Sequence, residues 1–316
     1  MNDCPKLGIS ACLLGEKVRY DGGHKLHHYL KDVLGQFVTW VPICPEVECG
    51  LPIPREPMHL VGEPESARMV TIKTGLDHTE RMLAWTDRKL DQLEGLDLCG
   101  FVLKSKSPSC GMRDVRIYGP DGKSVRKGSG LFAWKLRQRF SLLPVEDEGR
   151  LNDLDLRENF IERVFVCQRW KNFLVTHFSM EGLISFHTDH KLLIMSHSTR
   201  HVKELGNMVA QAGRGHLKDT CAHYIRLLMT ALALKATIKK NVNVLHHLMG
   251  YLKKFLTSDE KQELLEFIAD YHKRVVPLIV PVVLLKHYVR KFDITYLKRQ
   301  YYLNPHPLEL MLRNHT

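Results

Sequence analysis

The sequence has no run of ~18 apolar residues, so no helix of membrane-spanning length is expected. Its longest apolar stretch, Val275–Leu285, is broken by Pro277 and Pro281. The N-terminal segment Met1–Lys6 lacks the basic-then-apolar pattern of a signal peptide, so a cytoplasmic location is expected, where thiols stay reduced. Eight scattered cysteines are too few for a disulfide scaffold in 316 residues. No Gly-x-Gly-x-x-Gly follows the first strand-like run, which disfavours a nicotinamide enzyme. Repeats and low-complexity tracts are absent as well.

The length suits two domains, and the charge divides them. Residues 1–150 hold 22 Lys+Arg against 20 Asp+Glu; residues 151–316 hold 24 against 15. The second half therefore carries nearly all of the net +11, an asymmetry that points to a polyanion such as nucleic acid.

The first half alternates strand-like and helix-like segments. Strands are expected at Leu7–Ala11, Phe37–Ile43, Val70–Lys73, Leu98–Leu103, Asp114–Tyr118 and Ser141–Val145. Helices are expected at His24–Leu34, Asp77–Leu93 and from Ser129-Gly130 to Arg139. Pro45–Pro64 reads as a long loop, and Gly119-Pro120-Asp121-Gly122 as a turn. This is an α/β domain with an open, mostly parallel, Rossmann-like sheet over residues 1–147. Past the acidic stretch Val145–Gly149, apolar residues recur at three- and four-residue spacing, so residues 148–316 form an all-α domain. Thr257-Ser258-Asp259-Glu260 supplies a helix start there.

Three cysteines carry the chemistry. Cys12 follows Leu7–Ala11, Cys44 follows Phe37–Ile43, and Cys110 follows Leu98–Leu103 through Ser107-Pro108-Ser109. Ligands of open α/β sheets bind beyond the carboxyl ends of the strands, so the three thiols converge on one site. Metal ligands must be deprotonated, and loops rich in backbone N–H groups suit thiolates. On spacing alone, three readings stand: an iron–sulfur cluster, a zinc site that could also use Cys49, and unrelated cysteines. Cys99, Cys167 and Cys221 lie in apolar segments and read as core.

The surrounding motifs resemble the thiouracil desulfurase family. Ser10-Ala11-Cys12-Leu13-Leu14-Gly15 with Val18-Arg19-Tyr20-Asp21-Gly22 resembles its opening motif. Cys44-Pro45-Glu46 with Gly50-Leu51-Pro52-Ile53-Pro54-Arg55 resembles its second, and Ser107-Pro108-Ser109-Cys110-Gly111 its third. Gly128-Ser129-Gly130-Leu131-Phe132-Ala133 resembles the closing glycine segment. The second half, around His197, Leu205-Gly206 and Tyr224, resembles a helical domain often fused to it, a pairing similar to bacterial desulfidases acting on 4-thiouridine in tRNA.

The resemblance implies a [4Fe–4S] cluster held by Cys12, Cys44 and Cys110, with one iron open to substrate. It implies non-redox removal of sulfur from a thiolated uracil, giving the oxo-base and sulfide. Glu46 matches the acid/base position; Ser109 and Ser107 could orient substrate or relay a proton, and Asp21 is a further catalytic candidate. Ser10, Arg55, Ser129 and Gly130 are candidate substrate contacts, the last two because a helix N-terminus can seat a phosphate. Cys49 departs from the family pattern, where a small residue is expected. The expected substrate is tRNA or a thionucleoside. Two rivals are a desulfurase of free thiouracil and a cluster-bearing nucleic-acid sensor without turnover, which would have no use for a base at Glu46.

In the second half, Lys286–Lys291 and Tyr296–Tyr302 interleave aromatics with cations, a composition suited to phosphate contact and base stacking. Lys239-Lys240, Lys253-Lys254 and Lys273-Arg274 are further basic clusters. His187, His190, His197 and His201 have helical spacings that could bind zinc, with capping or core roles as the plainer reading.

Overall fold

The computed structural model describes residues 4–119, 124–212 and 216–315, so the residues Pro120–Gly122 of the expected turn lie outside it. The chain divides into two compact units, Met1–Asp153 and Leu154–Thr316.

The strands of the first unit are β1 (Lys6–Ser10), β2 (Thr39–Ile43), β3 (Met58–Val61), β4 (Arg68–Thr71), β5 (Gly100–Leu103), β6 (Val115–Tyr118), β7 (Ser124–Gly128) and β8 (Val145–Asp147). Four form one parallel sheet in the order β2-β1-β5-β8. Its inner strands are buried on both faces, which parallel strands require: Leu7 and Ile9 of β1 and Phe101–Leu103 of β5 are fully covered. Gly8 pairs in register with Phe101, and a Cβ on Gly8 would fall 2.2 Å from that ring. The missing side chain is what lets Phe101 lie across the centre of the sheet. Helices α1 (Pro45–Glu48), α2 (Thr79–Glu94) and α3 (Leu131–Arg139) complete the regular structure of this unit. Trp85 of α2 and Phe132 of α3 meet at 5.7 Å, and Phe132 meets Phe101 edge-on at 5.8 Å, so both helices share one core with β5.

A second sheet, β4-β3-β6-β7, was not expected from the sequence. It is mixed: β3 runs antiparallel to β4 and parallel to β6, and β6 runs antiparallel to β7. Strand β3 lies inside the segment read as a loop. The expected helix at His24–Leu34 is reduced to a π-turn at Tyr29–Val33 and a 3-10 turn at Leu34–Gln36. The last strand begins at Val145, not Ser141, because Pro144 has no N–H to give; its carbonyl accepts from Phe101 N at 2.8 Å.

The second unit is helical: α4 (Leu154–Thr176), α5 (Met180–His197), α6 (Thr199–Gln211), α7 (Leu217–Leu232), α8 (Ile238–Leu252), α9 (Ser258–His272), α10 (Ile279–Lys291) and α11 (Thr295–Lys298). Helix α9 opens on a full capping box, with Thr257 Oγ1 accepting from Glu260 N and Glu260 accepting from Thr257 N. Trp170 stacks on Tyr224 at 5.5 Å in the core, with Phe173 and Phe186 against it. No helix among the described residues is long and apolar enough to cross a membrane.

Candidate active site

The parallel sheet brings three strand ends to one level. Ser10 pairs with Ile43, and Ile9 with Val102, so β1, β2 and β5 stop together. Neighbouring strands β1 and β5 leave for opposite sides of the sheet, which makes their carboxyl ends a switch point. The loops there enclose a cavity of about 400 Å³ lined by Ser10, Cys12, Cys44, Glu46, Arg55, Ser107, Ser109 and Cys110. Lys104 N donates to Ser10 Oγ at 2.9 Å, tying the first thiol loop to the third.

Glu46 is held on both sides. Its Oε2 accepts from Arg55 Nη2 at 2.6 Å and Nε at 2.9 Å. Its Oε1 accepts from Ser109 Oγ at 2.7 Å and, longer, from Ser107 Oγ at 3.4 Å. The two serine hydroxyls are 2.9 Å apart, and Ser107 Oγ also accepts from Cys110 N at 3.2 Å. A carboxylate, two hydroxyls and one thiol loop thus form one hydrogen-bonded chain.

The thiols are less polar in setting than their loops imply. Burial pushes Cys12 up to about 11, with the nearby Cys44 adding to the rise and Lys104 and Arg19 opposing it. Cys44 is raised by burial, with Glu46 adding. Cys110 is raised furthest, by burial, against hydrogen bonds from Ser10 and Ser109. Cys44 adds to the rise at both Cys12 and Cys110, and thiols held protonated in this way need a cation to become thiolates.

Cys49 packs in the apolar core with Leu51, Met82 and Trp85, and its thiol donates to Glu46 O at 3.2 Å. It does not line the cavity. Cys99 and Cys221 are buried, and Cys167 is half-buried.

Three candidate residues stand elsewhere. Asp21 is exposed; its Oδ1 accepts from Gly23 N at 3.0 Å and pairs with Arg19, the geometry of a turn residue. Ser129 Oγ donates to Met112 O at 2.7 Å. Gly130 packs against the Cys110 loop, where a Cβ would fall 2.5 Å from the Ser109 carbonyl. The start of α3 is no phosphate seat: Leu131 N and Ala133 N donate to Pro108 O and Ser109 O. Those N–H groups fix the third thiol loop instead. Arg55 does line the cavity, with its guanidinium bonded to Glu46 and Val18 O.

The cavity also has lining that the sequence reading passed over: Arg19, Tyr20, Lys25, Met58, Lys104 and Lys106. Arg19 and Tyr20 belong to the opening motif beside Asp21 and, unlike it, face the cavity. Glu148 holds Lys104 and accepts from Ser105 N at 2.6 Å, which fixes the loop between β5 and Cys110.

In the helical unit, the interleaved aromatics are not free for stacking. Tyr288 and Tyr302 are buried, and Tyr301 lies under Arg169 at 4.0 Å. Three of their cations are paired, Lys291 with Glu260, Lys298 with Asp293 and Arg299 with Asp189, while Lys286 donates to Asn304 Oδ1 and Arg290 is exposed. The histidines have core partners: His187 with Tyr224 OH, His190 with Phe186 O and Arg169, His197 with Leu234 O and Glu162, His201 with Ser198. Lys239, Lys253, Lys254, Lys273 and Arg274 remain exposed, without an ion pair among the described residues.

A thiol-lined cavity at the switch point of a parallel sheet, with a clamped carboxylate beside it, defines an α/β enzyme domain. Residues 7–148 match the model of the 2-thiouracil desulfurase family, and residues 191–307 match a family described as a protein of unknown function, DUF1722. The chain is 30% identical over 152 residues to the uncharacterised protein YbbK of Bacillus subtilis, spanning 46% of this chain and 97% of that one. It is 29% identical over 134 residues to the uncharacterised protein YbgA of Escherichia coli, spanning 42% and 79%. A solved structure of the [4Fe–4S]-dependent thiouracil desulfidase TudS is 36% identical, over 48% of this chain and 97% of that one, with a TM-score of 0.40. The chain belongs to the 2-thiouracil desulfurase family, with a DUF1722 region following the desulfurase domain.

Proposed function

We propose that the chain is a non-redox, [4Fe–4S]-dependent desulfidase that removes sulfur from thiolated uracil, with 4-thiouridine in tRNA as substrate. Water replaces the thiocarbonyl sulfur, so the products are uridine and sulfide. The observation that carries the reading is the meeting of Cys12, Cys44 and Cys110 with the clamped Glu46 in one cavity. The three thiols fit a cluster: they come from separate strand ends, line one cavity, and need a cation to ionise. Held by three cysteines, a [4Fe–4S] cluster supplies an open, thiophilic Lewis-acid iron for the leaving sulfur.

The chain's own residues do the rest. Glu46 faces the cavity and accepts the proton of the attacking water at Oε1. Ser109 Oγ, 2.7 Å away, keeps that oxygen aimed, and Glu46 returns the proton to the departing sulfur, which leaves as hydrosulfide while water's second proton goes to solvent. Arg55 holds the opposite oxygen through two hydrogen bonds and fixes the carboxylate's orientation. Tyr20, partly exposed at the cavity, offers a ring for the base, and Lys25 and Lys106 offer charges for phosphate. Residues 1–147 hold the chemistry. Residues 148–316 engage RNA through Lys239, Lys253, Lys254, Lys273 and Arg274, which is where the net charge gathers.

The pairing of Lys291, Lys298 and Arg299 favours a second reading, turnover of free thiouracil or a thionucleoside. The test is anaerobic reconstitution with iron and sulfide, then turnover of thiolated tRNA, 4-thiouridine and free 2-thiouracil side by side. The proposal requires conversion, fastest on tRNA. Faster turnover of the free base selects the second reading, and an intact cluster inert on all three defeats both.

A further inference from the structure

The helical unit has a cluster of titratable side chains that the desulfidase chemistry does not use. Glu158 and Glu162 stand one turn apart on α4, so they share a face. His306 reaches them from the C-terminal segment between Pro305 and Pro307. One ligand atom from each residue lies within 4.8 Å of the other two. His306 is 8% exposed, and its Nε2 is buried without a hydrogen-bond partner. Its Nδ1 faces Pro307 O at 3.1 Å. A carbonyl only accepts, so the neutral ring keeps its proton at Nδ1 and leaves Nε2 a bare acceptor in a site shared with two carboxylates. Left like that, acceptors would face acceptors in a buried site, which is costly.

The surroundings are those of a ligand set. A metal-bound histidine commonly donates its other N–H to a backbone carbonyl, and bound carboxylates are held by further hydrogen bonds. Arg313 supplies those bonds, Nε to Glu158 Oε1 at 2.9 Å and Nη2 to Glu162 Oε1 at 2.8 Å. His197 Nε2 lies 3.1 Å from Glu162 Oε2. Arg313 is thus the cation hydrogen-bonded to both carboxylates, while burial raises Glu158 to about 7. Glu158 and Glu162 also line a cavity of about 460 Å³, whose lining includes Lys235, Lys239, Arg274 and Arg313 but not His306.

We propose that Glu158, Glu162 and His306 bind a first-row divalent cation of the zinc type, with an open position towards this cavity. An imidazole ligand selects such ions over magnesium or calcium. The site is independent of the thiol site and of the desulfidase reading.

The test uses the full chain with Cys12→Ala, Cys44→Ala and Cys110→Ala combined, so the thiol-lined cavity offers no thiol ligand, and Co²⁺ alone as the probe. The expected result is one Co²⁺ per chain, with visible ligand-field absorption, no thiolate charge-transfer band, and displacement by Zn²⁺. Glu158→Gln and His306→Ala should each abolish that absorption, with far-UV circular dichroism showing that each remains helical. Should one of them unfold, the other and the parent spectrum decide. No saturable binding in the parent, a thiolate spectrum, or full binding by a folded variant would overturn the proposal.

Discussion

Replacing Gly130 by alanine should damage the thiol site through the backbone alone. Gly130 has φ −63°, ψ 151°, which any residue adopts, so conformational strain is not the issue. The obstacle is space. A Cβ there would lie 2.5 Å from both the carbonyl carbon and oxygen of Ser109, and 2.9 Å from Cys110 N. Those are backbone atoms, which cannot rotate away. The loop must move by close to an ångström, loosening the bonds from Leu131 N and Ala133 N and shifting Cys110. Overpacking of this kind costs about 1–3 kcal/mol. For a domain of this size that is a fall in Tm of roughly 2–12 °C. Gly95→Ala is the internal control: its Cβ meets nothing nearer than 3.7 Å, at φ −76°. Differential scanning calorimetry of the apo-proteins measures the Tm, and iron counts after reconstitution measure the site. Gly130→Ala should lose both stability and iron, while Gly95→Ala keeps both. A Gly130→Ala protein with unchanged Tm and full iron content would refute the account of α3 as the buttress of Cys110.

Cys12→Ala, Cys44→Ala and Cys110→Ala should each lose the cluster absorption and activity, while Cys49→Ser, altered only in the core, keeps both. Glu46→Ala should retain iron and lose turnover, as shown by iron counts beside sulfide release. Cys12 is raised from 9.0 to about 11 in the fold. Below pH 9 both states hold the proton and stability is level; between 9 and 11 the unfolded chain loses it first. The apo-protein should therefore lose stability as pH rises through that window, by about 1.4 kcal/mol per unit from this thiol, and a flat urea midpoint from pH 9 to 10.5 would contradict it. Replacing Lys253 and Lys254 together by alanine should weaken tRNA binding and flatten its log-affinity against log-salt slope by about 1–2.

The sequence was most legible where its apolar runs were long and ended in marked loops. The runs into Cys12, Cys44 and Cys110 became β1, β2 and β5, and their alternation with helices implied the parallel sheet. The second sheet was hidden because β3 is four residues long inside a Pro-rich stretch, where Met58-His59-Leu60-Val61 has little pattern of its own. Ser129-Gly130 looked like an anion seat because a free helix N-terminus and an occupied one read alike. Only the fold shows that Pro108 and Ser109 already accept from it. The Tyr-Lys alternation of Tyr296–Tyr302 misled for a similar reason: long-range partners such as Asp189 and Arg169 absorb the cations and rings. The grouping of Glu158, Glu162, His306 and Arg313 spans some 150 residues of chain, beyond any local pattern.

The most direct test of the central claim is the stoichiometry of one reaction. Reconstituted protein is mixed with 4-thiouridine-containing tRNA without oxygen, and uridine formed and sulfide released are counted together. The account predicts equal amounts of both over many turnovers, with no added reductant or oxidant. Intact cluster with neither product, or turnover that demands an electron donor, would contradict it.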